Sequence, residues 1–172
     1  AVYYGDNTDA LQLNNTNATD DGIYWADTSP TSTLFSVGDS SETGKSEDYI
    51  AYCFANCEGY IKAGTYVGNG NDDGTFVYTG FRPAMMILRE YGAVDDWGIY
   101  DDKRLGYNLS SAGNALLYPN TTIAEENQAS RAIDILSNGF KLRTSNATFN
   151  AGSGTYIYLA FAKNPFQYSL AR

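Results

Sequence analysis

The chain contains no histidine. That excludes a Ser-His-Asp triad, a Cys-His dyad and every metal site that uses imidazole. Carboxylates, Tyr, Lys and Arg are what remain for chemistry. Cysteine is almost as scarce, with only Cys53 and Cys57. On an extended strand these two stand about 13 Å apart, whereas a disulfide needs α-carbons within roughly 7 Å. The expectation is two free, buried thiols, and a bridge would require a sharp bend at Ala55-Asn56. Basic residues are outnumbered, 11 against 20 acids, for a net charge of −9. An acidic surface repels nucleic acid and anionic membranes and keeps molecules apart in solution. No run approaches the 18 or so apolar residues of a membrane-spanning helix, so no membrane insertion is expected. No basic-then-apolar leader opens the chain. It also lacks an initiating Met, so residue 1 reads as a processed or trimmed end.

What is plentiful is Tyr, at 15 residues, with 8 Phe and 17 Gly. Together with Thr and Asn this composition favours short strands and turns over helices. At 172 residues the chain is long enough for one domain, 1–172, with a substantial core.

Two stretches of the chain resemble each other. "ALQLNNTNA" from Ala10 matches "ALLYPNTTIA" from Ala115, and "LFSVG" with Phe35 matches "GFKLR" with Phe140. "DYIAYCFA" with Tyr49 matches "TYIYLAFA" with Tyr156. The separations are 105, 105 and 107 residues. A nearly constant offset marks an internal half-repeat, residues 10–55 and 115–162, around a segment present once at 66–104. A chain that starts inside such a repeat is expected to belong to a longer polypeptide.

Strands are predicted at Tyr49–Ala55, Thr75–Thr79, Ala84–Leu88, Trp97–Asp101 and Tyr156–Ala162. Phe76 and Tyr78 should share one face, with Val77 on the other. In "FRPAMMILRE" Pro83 lacks an N–H and holds Arg82 extended, which suits a strand entry or edge. "AIDILSNGFKLRT" reads as a hairpin turning at Asn138-Gly139, with Ile133, Ile135, Phe140 and Leu142 facing inward. The stretch from Thr122 also carries a helix-capping pattern. A loop followed by the hairpin is preferred, because the matching first copy is rich in Pro and Thr. Regular short strands with turn signals predict an all-β, antiparallel sandwich. "YIAYCFA", "AMMIL" and "YIYLAFA" are apolar on both faces. One face meets the second sheet, and a neighbouring subunit or repeat is the expected cover for the other.

Candidate sites are few. Asn69, Asn71 and Asp73 have the spacing of half a calcium loop, but the twelfth position is Gly80 rather than an acid, so a turn is expected and no metal. The acid doublets Asp72-Asp73, Asp95-Asp96, Asp101-Asp102 and Glu125-Glu126 point to opposite faces of a strand, which makes each a poor catalytic pair. "DDWGIYDDKR" gathers Trp97, Tyr100, Asp101 and Arg104, the residue types of a glycan-binding surface, although the alternation favours a core position for Trp97. Glycosylation-type sequons stand at Asn14, Asn17, Asn108, Asn120 and Asn146, and Asn/Thr-rich loops account for them.

Taken in order, "YTGFRPAMMILRE", "WGIYDDKR" and "ILSNGFKLRTSNATFNAGSGTYIYLAFAKNPF" resemble a module of bacteriophage tail-fibre and other virion proteins. The likeness spans residues 10–168. It implies a concanavalin A-like lectin/glucanase jelly roll, non-enzymatic and without cofactor, on a virion surface. It further implies a homo-oligomer, expected as a trimer, with other virion proteins and a host cell-surface glycan as partners. The chain departs from the pattern at Met85-Met86, where an aromatic is usual, and in the doubled acids after Tyr100. Arg82, Met85 and Met86 are expected at an interface. The alternatives are a head-decoration or extracellular-filament subunit, and a carboxylate-dependent glycan-degrading enzyme.

Overall fold

A computed structural model describes residues 1–104, 108 and 114–165. Residues 105–107, 109–113 and 166–168 of the resembling stretch lie outside the described ones. In chain order the strands are β1 (Asp9–Ala10), β2 (Asp20–Asp21), β3 (Ile61–Val67), β4 (Phe76–Tyr78), β5 (Pro83–Glu90) and β6 (Gly98–Asp101). They continue with β7 (Asn114–Leu116), β8 (Glu126–Gln128), β9 (Ile133–Leu136), β10 (Gly139–Leu142) and β11 (Thr155–Ala162). A 3₁₀ turn spans Ala129–Arg131 and a single helical turn, α1, spans Ala147–Asn150.

All strand pairs are antiparallel. A four-stranded sheet runs β3-β11-β5-β6 and a three-stranded sheet runs β4-β10-β9. The fold is an all-β sandwich. Its core joins Tyr66, Met86, Leu88, Tyr100, Tyr156 and Tyr158 from the first sheet to Val77, Ile133, Ile135, Phe140 and Leu142 from the second. The many tyrosines fill this interior. Tyr66 stacks on Tyr156 at 4.8 Å and meets Phe140 edge-on at 6.0 Å. The Tyr66 hydroxyl donates to the Phe149 carbonyl at 2.8 Å, so its polar tip is satisfied. Glycine makes room for this crowding: a Cβ on Gly64 would lie 2.8 Å from the Tyr158 hydroxyl, its register partner.

"PAMMILRE" is an interior strand, flanked by β11 and β6. Pro83 has no N–H for the ladder, and the pairing with β11 slips between Phe161 and Ala162, where Pro83 enters. The predicted faces of Phe76, Val77 and Tyr78 are observed, with only Val77 buried. The hairpin of β9 and β10 has its four predicted core residues inward. Its turn is one position earlier than expected, since Gly139 pairs with Leu136 and leaves Ser137-Asn138 as the turn. Gly139 is needed for close approach instead, because a Cβ there would lie 2.1 Å from the Val77 carbonyl oxygen.

Three expectations are corrected. Residues 49–55 carry no strand, and their side chains are exposed. Cys53 and Cys57 are free, as expected, yet exposed, because the stretch that was to bury them stays outside. The two look-alike halves also fold differently: 115–162 holds β7 to β11, whereas 10–55 holds only β1 and β2.

The outer face of the larger sheet is covered in part by the chain itself. Val2, Tyr4 and Leu11 pack with Ile87, Tyr91, Trp97 and Ile157. Arg89 is 0% exposed and fastens this cover. Its guanidinium donates to the carbonyls of Asn15 (2.8 Å), Asn17 and Glu90 (3.1 Å) and lies 5.3 Å over the Trp97 ring. Burial pulls its pKa down, and the nearby charges of Asp95 and Asp96 act the other way.

Candidate functional site

The residues singled out in the once-only segment separate into buried and half-buried sets. Trp97 is 4% exposed, its indole N–H donating to the Gln12 carbonyl at 2.9 Å. Tyr100 is 1% exposed, its hydroxyl donating to the Arg131 carbonyl at 2.9 Å. Burial raises the Tyr100 hydroxyl pKa far above the ordinary range. Neither ring offers a face to a sugar, so the expectation of a glycan platform on these two is corrected. The alternation along β6 points Tyr100 into the core, and Trp97 lies beneath the N-terminal cover.

Asp101 and Arg104 are brought together. Arg104 Nε meets Asp101 Oδ2 at 2.5 Å, and its other nitrogens reach Glu125 (3.1 Å) and the Ile99 carbonyl (2.9 Å). The backbone N–H groups of Lys103 and Arg104 both donate to Asp101 Oδ1 at 2.8 Å. Burial pushes the Asp101 carboxyl up, but these donors outweigh it and hold the pKa below the usual carboxylate range. The pair closes the end of β6.

Of the three interface candidates, Met86 is corrected, being 0% exposed inside the core. Met85 lies half-buried on the opposite side of β5, opposite Asp101 and Phe161. Arg82 donates to the Ile135 carbonyl at 3.1 Å, while its own carbonyl accepts from Lys163 at 2.8 Å. It therefore ties the end of β11 to the second sheet.

The acid doublets are committed to structure. Asp72 accepts from the Ser145 N–H at 2.8 Å, and Asp73 pairs with Lys141 at 2.7 Å. Asp95 accepts from the Asp96 N–H, and Asp96 accepts from the Asn120 amide at 2.8 Å. Asp102, buried, faces Lys163 at 2.7 Å, and Glu126 pairs with Arg131 at 2.9 Å. In the 69–73 loop the side-chain oxygens of Asn69 and Asn71 accept from Asn71 and Asp73 N–H groups. The buried Asn150 locks that loop through Asn69 and Asn71. Among the described residues no three His, Cys, Asp or Glu side chains gather to hold a metal. Among them, too, no helix is long and apolar enough to cross a membrane.

Of the sequon asparagines, Asn108, Asn120 and Asn146 are engaged by the fold, whereas Asn14 and Asn17 are exposed. The Asn120 amide spans Asp96 and the Trp97 N–H, and Asn146 caps α1 by accepting from Thr148.

Two open depressions stand out among the described residues. One, of about 760 Å³, is bounded by Asp72, Asp134, Arg143 and Thr144, whose polar groups are tied to one another or to backbone. The other, of about 450 Å³, was not foreseen from the sequence. Tyr4, Asp6 and Asp9 from the N-terminal cover meet Thr65 of β3 and Tyr91 at the end of β5. Tyr4 and Tyr91 are stacked at 5.1 Å with 28° between their planes. The Tyr4 hydroxyl donates to Asp9 at 3.3 Å, and burial followed by the Asp9 charge raises its pKa above the ordinary range. Asp6 accepts from the Thr8 N–H (2.9 Å) and hydroxyl (2.7 Å), which lowers its carboxyl pKa. At neutral pH the cleft thus presents a protonated Tyr4 hydroxyl beside an ionised Asp6 carboxylate. The only sequence signal was the density of "YYGDNTD", which carries no spacing rule.

No curated protein and no solved structure matches the chain. Residues 2–165 match the model of the family described as Domain of unknown function (DUF7483), and the chain belongs to that family.

Proposed function

We propose that this chain is a non-enzymatic, adhesive module of a virion surface, of tail-fibre type, that attaches to host glycan. The observation that carries the reading is the Tyr4–Tyr91 ring pair flanked by Asp6, Asp9, Thr19 and Thr65. Aromatic faces take the C–H side of a sugar, and carboxylates and hydroxyls take its hydroxyl groups. The likeness to virion modules and their jelly-roll form supports the same reading. So does the engagement of the doublet acids in ion pairs and turns, which leaves the carboxylate-hydrolase alternative without a free facing pair in those doublets.

The glycan reading is tested by titrating the protein with host surface polysaccharide fragments and repeating the titration with Tyr91→Ala. Loss of the ring should weaken binding by roughly tenfold, about 1.4 kcal/mol, with no release of reducing ends by either protein. Equal binding by the variant would remove the cleft from consideration. Reducing-end release by the unmodified protein would favour the hydrolase.

A further inference from the structure

Residues 50–57 sit one turn away from an open sheet edge. β3 is the outermost strand of the larger sheet, and Ala63, Thr65 and Val67 on it are exposed. Just before it a tight reversal is already built. Cys57 and Ile61 exchange both backbone hydrogen bonds, at 2.9 and 3.0 Å, across Glu58-Gly59-Tyr60. Gly59, φ 70°, takes the left-handed third position of a tight turn that the Tyr60 N–H closes on the Cys57 carbonyl at 3.0 Å. The first rung of a hairpin is therefore closed, and it fixes the register of everything that precedes it.

Extending that register pairs Ala55 with Ala63 and Cys53 with Thr65 through outward-facing groups of β3, and sets Ala51 opposite Val67, whose carbonyl already accepts from the Thr75 hydroxyl at 2.7 Å. The direction of those groups is visible: the Ala63 N–H already donates outward, to the Asn56 side chain at 2.7 Å. Among the described residues, neither Thr65 backbone group has an outward hydrogen-bond partner. The segment alternates large and small, with Ile50, Tyr52 and Phe54 separated by Ala51, Cys53 and Ala55. In this register the large residues align with Gly68, Tyr66 and Gly64. That is the side on which Lys62 lies 5.4 Å over the exposed ring of Tyr78 in β4. Ile50 and Tyr52 are meanwhile 83% and 80% exposed, an unfavourable position for large apolar groups.

We propose that residues 50–57 are a strap that closes onto β3 as a fifth strand of the larger sheet, within the same molecule. Closure moves Phe54 from its edge contact with Phe161 (5.9 Å) to the Gly64 position, and covers a sheet edge that has no strand partner. The proposal does not rest on the glycan reading.

Two measurements on the full chain test it. Hydrogen exchange of the unmodified protein should show the amides of Cys53, Ala55 and Thr65 slowed at least tenfold against unstructured peptide. Exchange at the unstructured rate overturns the proposal. In a Thr65→Cys, Cys57→Ser variant, mild oxidation should link Cys53 to the new thiol within one chain, since directly opposed residues lie in disulfide range. A bond between two chains would show that the strap pairs with a second copy and overturns closure in cis, as would failure to form any bond in a folded variant.

Discussion

Single residues in this protein carry tasks that their neighbours in sequence do not reveal. Arg89 follows the apolar run of β5 and is fully buried, with three carbonyls and an indole face around its guanidinium. Arg89→Ala should cost about 2–4 kcal/mol, because it removes charge-assisted hydrogen bonds and leaves buried carbonyls unpaired. Urea unfolding measures the loss, and faster hydrogen exchange over residues 11–17 would locate it. Arg89→Lys should not restore stability, since one ammonium cannot reach acceptors set in a planar fork. The adjacent Glu90 behaves oppositely. Burial raises its pKa, the Tyr156 hydroxyl pulls it down, and the Asp95 charge adds to the rise. The folded state therefore holds the proton more tightly than the unfolded state. The ionised form costs stability as pH rises from the ordinary value of 4.5 through the raised one. Glu90→Gln should stabilise by under about 1 kcal/mol at pH 7, and the gain should vanish below pH ~4. A pH series of unfolding midpoints tests the sign: a gain that grows in acid would contradict it.

At the scale of elements, the second sheet shows how an exposed strand is kept from pairing with another molecule. β9 is its edge. The Asn114 side chain accepts from the Ile133 N–H at 2.7 Å and donates to the Ile133 carbonyl at 2.9 Å. Asn108 treats Ile135 the same way, at 2.6 and 3.0 Å. Two side-chain amides thus stand in for a neighbouring strand and occupy the edge. Asn114→Ala should cost about 1–3 kcal/mol, for the two groups left unpaired. It should also cause concentration-dependent association, read by light scattering. A variant that stays monodisperse and as stable as the parent would deny the edge-guarding role. The edge of β3 has no comparable guard among the described residues, only the single Asn56 contact and the Thr75 hydroxyl on the Val67 carbonyl.

For the molecule as a whole, the proposed role requires assembly. In the sequence the apolar second face of "AMMIL" pointed to it, and the fold leaves less of that face open. Ile87 and Arg89 are covered by the chain's own N-terminal segment, and Met86 is core. Exposed apolar side chains elsewhere include Leu34, Phe35 and Val37, and Met85 is half-buried on the sheet. Under the proposed role, exposed apolar side chains of this kind are where another copy would bind. Sedimentation equilibrium should find a homo-oligomer, with a trimer as the expected order, that Leu34→Asp combined with Val37→Asp disperses. A stable monomer at tens of micromolar would remove assembly through these residues.

The sandwich was legible because its strands obey local rules. Period-two alternation marked Phe76–Tyr78 and the Ile133–Leu142 hairpin, and the missing N–H of Pro83 marked the entry to β5. Absences were equally firm, since a chain without histidine cannot build an imidazole site in any fold. Pattern could not say which of two similar stretches becomes a strand. "YIYLAFA" was flanked by β3 and β5 and became the centre of a sheet, while "YIAYCFA" was left outside, because pairing partners are a property of topology and not of the segment. Nor could it place Tyr100 under cover, or join Tyr4 to Tyr91 across 87 residues of chain. Composition and alternation determined the class of fold and the chemistry ruled out. Long-range packing decided what is buried, which edge is guarded and where the cleft lies, because each depends on segments that meet only when the chain is folded.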